Sequence, residues 1–370
     1  MTDTTASLVA RRSYTLVLEV TPTAPLSHGM GTEGNTQVLL RREILAPAPG
    51  GGWETIYVPA VSGAALKATL REWAVRDYLE RAGVADGLVS RDALRLLLKG
   101  GKNDAGGQSV SLAAARRLRD LCPALAVFGS MDGGLPIRAA IQVSDVLPWC
   151  VETLDAGMTS REVRPLAVSL DGTGLLEDRT IPVFPGVDPP SIYETTTTTT
   201  YYRHDILSGA MTQYLPGADV RQIEDGRQAV SEAKRTKGGP KPDAATRREA
   251  NESMPHSAEA IRPGVPMVAT IRLQDATEVE FAALGVALLR WIQSGAHLGG
   301  GATKGHGACR VRVAGALRHE LPAGVQATAP GEPLPVLAVG FDGSEAARAY
   351  HAHIHARATS IRQWVAETTR

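Results

Sequence analysis

Residues 297–307 read His-Leu-Gly-Gly-Gly-Ala-Thr-Lys-Gly-His-Gly, with a helical apolar period before them and a strand-like alternation after them. Phosphate-binding glycine loops of nucleotide enzymes run strand, loop, helix, and carry Gly-Lys-Ser/Thr. This loop runs the other way, and its lysine follows a threonine, Thr303-Lys304. It therefore points away from ATP and dinucleotides. Five glycines between 299 and 307 lose much chain entropy on folding, more than a plain turn requires. A backbone brought very close to a long polyanion would account for them.

Alternation and helical period lay out the rest of the fold. Tyr14, Leu16, Leu18 and Val20 share one face of a first strand, and a Pro/Gly-rich loop is expected over 22–52. Ser62 caps a helix carrying Leu66, Leu70, Trp73 and Tyr78. Short helices are expected at 94–98 and at 112–121, the second stopped by Pro123, and residues 135–143 read as a second strand. Met267, Ala269, Ile271 and Leu273 alternate as a third strand. Thr277 and Glu280 form a capping box ahead of a helix through Trp291, and residues 309–313 make a fourth strand. A helical tail is expected over 344–366.

Without its insertions the chain is strand, helix, strand, strand, helix, strand, an α+β, ferredoxin-like βαββαβ core. The core is expected at 13–83, 126–150 and 264–320, with a helical insertion at 84–125. An extended, thumb-like hairpin insertion with a charged stretch takes 151–263, and 321–370 is a partly helical C-terminal extension. Residues 226–252, charged and poor in apolar side chains, are expected to be mobile unless a partner orders them. The RNA-recognition motif shares this topology, but its stacking aromatics are missing from these strands. If such a fold binds RNA, it does so through loops rather than the sheet face.

Charge is balanced, 39 basic against 39 acidic residues, so any nucleic-acid surface is local. Three widely spaced cysteines exclude a disulfide framework and a cysteine zinc site. No run of 18 apolar residues occurs, so no membrane partner is expected and the location is read as cytoplasmic. His351, His353 and His355 alternate in the tail, but with no third ligand in view they read as a polar helix face, and no metal or cofactor is expected.

The residues that bear on a polyanion fall into four groups. Ser62 heads a helix whose first-turn N–H groups favour phosphate, and Lys67 and Arg71 lie one turn apart on one face of it. Gly300 and Gly301 allow close approach beside Lys304 and His306. His28, Asn35, Arg41 and Arg42 occupy the first long loop; adjacent arginines on an extended segment point to opposite sides, so one of the pair is expected to meet RNA. Tyr201, Tyr202 and Arg203 end a run of six threonines, where Tyr201, Tyr202 or Met211 could supply a stacking surface.

Three segments then carry a family resemblance. Residues 58–71, Val-Pro-Ala-Val-Ser-Gly-Ala-Ala-Leu-Lys-Ala-Thr-Leu-Arg, resemble an Ile-Pro-Gly-Ser-Ser-Leu-Lys-Gly-x-Leu-Arg pattern. Val127-Phe128-Gly129-Ser130 with the strand ending at Asp145, and the 298–307 loop, follow in the same order. Together they resemble the RAMP-superfamily backbone subunits of CRISPR effector complexes, most of all the type IV backbone protein. The resemblance implies a non-catalytic scaffold that oligomerises helically along the guide crRNA. Its partners would be crRNA, neighbouring copies of itself, other CRISPR effector subunits, and target DNA or RNA through guide pairing. Type III relatives cleave target RNA with an aspartate after the first strand. Here the matching stretch holds no aspartate and offers only Glu33, so catalytic residues are expected to be none. Metal-dependent endoribonuclease activity and an RNA-free ferredoxin-like interaction module are the alternatives.

Overall fold

The computed structural model describes residues 11–33, 36–48, 50–101, 112–132, 135–163, 181–202, 255–315 and 345–367, with positions 217, 221, 224, 225 and 228. The chain opens with strand β1 (Arg12–Pro22) and the hairpins β2 (Gly29–Glu33) with β3 (Thr36–Leu39) and β4 (Arg41–Pro47) with β5 (Trp53–Pro59). Helices α1 (Gly63–Arg81), α2 (Arg91–Lys99), α3 (Leu112–Leu121) and α4 (Pro123–Phe128) follow. Next are β6 (Ser130–Asp132), β7 (Leu135–Ile137), β8 (Ile141–Val143), β9 (Leu147–Pro148), helix α5 (Val151–Asp155), β10 (Glu162–Val163) and β11 (Ile181–Pro182). The chain continues through β12 (Thr196–Tyr202), β13 (Pro255–Ile261), β14 (Met267–Ala276), helix α6 (Glu278–Gln293), β15 (Cys309–Gly315) and helix α7 (Glu345–Glu367). It is a mixed α+β protein.

The main sheet runs β15-β1-β14-β8, with β9 also on β14, and these neighbours are antiparallel. Strand β1 sits inside it and is buried on both faces. Tyr14 stacks on Phe281 of α6 at 4.1 Å between ring centroids, placing the even-numbered positions toward that helix. On the other face Val17 and Val268 pack with Trp149, Val183 and Phe184. Alternation alone predicted burial of only the first set. The second is buried because Trp149, Val183 and Phe184 cover that face.

Glu19, 4% exposed, lies opposite Arg312 of β15. It takes two guanidinium hydrogen bonds, at 2.7 and 2.6 Å, and the Phe184 N–H at 3.1 Å. Such a pair survives burial because its remaining lone pairs are also filled. Behind the sheet, α1 packs on α6 through Asp77, fully buried between Arg81 (2.9 Å) and Arg290 (2.7 Å). The capping box at α6 forms, with Glu280 N–H on Thr277 Oγ1 and Thr277 N–H on the Glu280 carboxylate.

The described residues divide into two compact units. One comprises Met1–His28, Leu40–Thr196 and Ile261–Arg370; the other comprises Gly29–Leu39 and Thr197–Ala260. The second unit holds a sheet ordered β12-β13-β3-β2, in which β13 and β3 are parallel.

Several local expectations change. The stretch 22–52 is not one loop: it carries β2, β3 and β4, because Ile44 and Ala46 alternate into a cluster with Ile56 and Val58, while Gly50, Gly51 and Gly52 fall in the β4–β5 turn and Gly29 and Gly31 lie within β2. Residues 29–39 therefore group with the threonine strand rather than with the core to which 13–83 was assigned. The strand expected at 135–143 is broken. Residues 135–137 pair with β6, whereas Ile141–Val143 pairs with β14. The break is held by the Ala140 N–H on the Ala126 carbonyl at 3.3 Å. The helix expected at 94–98 spans Arg91–Lys99, capped by Ser90 and closed by a left-handed Gly100. Pro123 ends α3 but also starts α4, at the first helical position where its missing N–H costs nothing. Apart from position 228, residues 226–252 lie outside the described residues.

Candidate nucleic-acid interface

The segment between β1 and β2 brings the predicted loop and the predicted helix together. Ser27 faces the glycine loop. Its carbonyl accepts the Gly300 N–H at 2.7 Å, and its hydroxyl lies 3.3 Å from His306 Nδ1. The preceding Pro25 carbonyl accepts the Gly307 N–H at 2.9 Å. Next in the chain, His28 Nε2 lies 3.2 Å from Ser62 Oγ at the head of α1. One tetrapeptide thus ties His28, Ser62, Gly300 and His306 into a single surface.

The glycines serve that packing. Gly299 has φ +72° and abuts the Ser27 carbonyl oxygen, where a Cβ would collide; Gly307 abuts the Leu298 carbonyl in the same way. Gly301 and Gly305 take left-handed positions on either side of a short turn at Ala302–Lys304. Close approach of main chain was predicted for a polyanion; at Gly299 and Gly307 the partner is the protein's own backbone. Lys304 is exposed on this loop.

At α1 the Ser62 hydroxyl accepts the Ala65 N–H at 3.2 Å, as expected of a cap. The Gly63 N–H is also occupied, by Asp145 Oδ1 at 2.8 Å. This corrects the expectation of an open first turn: among the described residues only the Ala64 N–H there lacks a protein partner. Asp145 Oδ2 accepts Arg42 Nε at 2.5 Å, so Arg42 is drawn to the helix head through a carboxylate. Burial works against ionisation of Asp145, but Arg42, the Gly63 N–H and His28 outweigh it and hold the carboxyl below the usual range. Burial lowers the His28 pKa, against the pull of Asp145 and with a further push down from Arg42.

Two predicted contacts are corrected outright. Arg71 does not share an open face with Lys67: its guanidinium donates to the carbonyls of Phe128 (2.7 Å), Gly129 and Leu98 (3.4 Å), at the C-terminal ends of α4 and α2. A cation is favoured there by the helix dipoles. His306, expected to reach a phosphate or ribose, is 9% exposed and faces Ser27. Burial, with Lys304 nearby, lowers its pKa. Lys67 stays half-buried on α1, its pKa lowered by burial and by Arg71.

Tyr201 and Tyr202 end strand β12 in the second unit. Arg203, Met211 and Asn35 lie outside the described residues. Arg41 is half-buried on β4. Glu33 ends β2, exposed, and among the described residues no three His, Cys, Asp or Glu side chains group as a metal site. No helix among them is long and apolar enough to cross a membrane. Asp145 was not singled out from sequence as a site residue. Its signal was its place directly after a strand in the segment that follows the Phe-Gly pair.

No family model matches the chain, and no curated protein matches it. Among solved structures it is similar to a chain of a "Type IV-B CRISPR Complex", at 17% identity over 86% of this chain and 96% of that one, TM-score 0.41. It is also similar to Csc2 of Thermofilum pendens, at 14% identity over 99% and 93%, TM-score 0.35. Strand order and the geometry of the helix head, not these scores, carry the functional reading below.

Proposed function

We propose that this chain is the guide-RNA-binding backbone subunit of a CRISPR effector, type IV-like, and a scaffold rather than a nuclease. The observation that carries the reading is the Pro25–His28 bridge, because it joins the glycine loop and the head of α1, the segments of the RAMP resemblance, into one surface. Support for a ferredoxin-like core comes from the order β15-β1-β14-β8, with α1 inside the first crossover and α6 inside the second. The β12-β13-β3-β2 sheet stands as the thumb.

In this reading Lys67, Lys304 and the Ala64 N–H hold guide phosphates, with Arg41 further along the strand; Tyr201 and Tyr202 are the thumb's stacking candidates. Copies stack head to tail, a heterologous contact that does not close and so yields a helical filament around the guide. Target specificity then comes from base pairing.

The test is electron microscopy of the purified chain, with its 260/280 nm absorbance ratio and filter binding of RNA across a salt series. Filaments containing nucleic acid are expected, with affinity falling steeply as salt rises. A monomer with a clean protein spectrum and no RNA retention would sink the proposal in favour of an RNA-free interaction module. Magnesium-dependent target cleavage lost in Glu33→Ala would replace the scaffold with an endoribonuclease.

A further inference from the structure

Strands β8 and β9 both pair with β14, but the chain leaves β14 between them, at residues 144–146. Ser144 stays tethered, its N–H on the Thr270 carbonyl (2.9 Å) and its Oγ taking the Thr270 N–H (2.8 Å). Val146 turns away to pair with Val61. The detour opens a cleft of about 400 Å³ beside Ala269, roofed by residues 157–160 after α5. That size falls among small-molecule sites, which run from about 300 Å³ upward.

The lining is selective. Leu147, Val268 and Ala269 supply apolar wall, and Met158, 50% exposed, stands at the rim. Three of the four hydroxyls are spent internally: Ser144 on the Asp145 carbonyl, Thr159 on Thr153, and Ser160 on the Glu162 carbonyl. What remains toward the cleft is Arg42, Asp145 and the Thr270 hydroxyl, since Glu43 follows Arg42 on β4 and projects to the other face. Arg42 commits its Nε to Asp145, and among the described residues its Nη1 and Nη2 have no partner. Arg42 and Asp145 cancel in charge, so the cleft carries no net charge to draw a phosphate. A neutral, flat group that offers donors to a carboxylate and an acceptor to a guanidinium fits instead.

We infer that this cleft is a pocket for one unpaired nucleobase, with guanine the best fit. Its N1–H and N2–H would meet a carboxylate, O6 would meet the Arg42 Nη atoms, and Met158 would lie against the ring. Unpaired bases are read in this manner, by edge hydrogen bonds and a flat contact. The inference rests on the RNA-binding reading above and adds a base-selective site to it.

Equilibrium dialysis of the nucleic-acid-free full chain against GMP, AMP, CMP and UMP tests it, beside filter binding of mixed-sequence RNA. GMP should be retained about tenfold or more over UMP, the discrimination of one bidentate base contact. Met158→Ala and Thr270→Val, which leave the Arg42–Asp145 pair in place, should each cut GMP retention several-fold. Equal retention of all four nucleotides, no GMP retention, competition by inorganic phosphate as strong as by GMP, or indifference to both variants would overturn it. RNA retained on filters without GMP selectivity removes the pocket alone; loss of RNA retention with GMP still held removes the backbone reading and keeps the pocket.

Discussion

Replacing Asp145 with alanine removes two charge-assisted hydrogen bonds together, from Arg42 Nε at 2.5 Å and from the Gly63 N–H at 2.8 Å. A side-chain cap on a helix N-terminus contributes about 1 kcal/mol. The Arg42 side chain is 43% exposed, so its pairing is discounted toward the ~0.5 kcal/mol of screened pairs. The expected loss is therefore about 1.5 kcal/mol for alanine and about half that for asparagine, which keeps an oxygen for Gly63. Urea unfolding followed by far-UV circular dichroism measures both. Because the folded carboxyl sits below its ordinary range, this stabilisation is present above the unfolded carboxylate pKa and is lost as pH falls through the folded value. The gap between wild type and variant should then hold at neutral pH and shrink below about pH 4. A neutral-pH loss under about 0.5 kcal/mol, or a gap that widens on acidification, would refute the account of the helix head.

Other outcomes can be stated briefly. Arg312→Met strands the buried Glu19 carboxylate and should cost about 3–5 kcal/mol in thermal unfolding, with little loss disproving the buried pair. Gly299→Ala should destabilise well beyond Gly305→Ala: both glycines have positive φ, but only Gly299 meets a carbonyl, so the difference measures the contact with Ser27. Arg71→Gln should lower the melting temperature through lost carbonyl contacts while leaving the salt slope of RNA binding unchanged; a flatter slope would return Arg71 to the interface. Lys67→Glu with Lys304→Glu should weaken RNA retention and flatten that slope, with unchanged retention counting against the proposed surface.

What could be read from the sequence was local. Periodicity located β1, β14, α6 and β15, because each carries its own alternation or capping box. Ser62 and Thr277 announced their helices by chemistry confined to four residues. What escaped depended on distant partners. The Arg71 carbonyls lie 27 to 58 positions along the chain, and the Gly63 partner lies 82 away. Arg71 and Lys67 look alike on a helical wheel; only the tertiary fold assigns one to helix ends. The 22–52 stretch misled through its prolines and glycines, although β3 finds its parallel partner in β13, far down the chain. The glycine loop was rightly seen as a site of close approach, and wrongly matched to a polyanion at Gly299 and Gly307.

The interior position of β1 has a consequence for how the protein is made. Its two sheet neighbours, β14 and β15, leave the ribosome only after most of the chain. Strand β1 must therefore wait, unpaired and adhesive, while residues 23–266 are made. Production of this protein should depend on holdase capacity and translation speed, and a tag fused directly against Arg12 should depress yield more than one placed after α7.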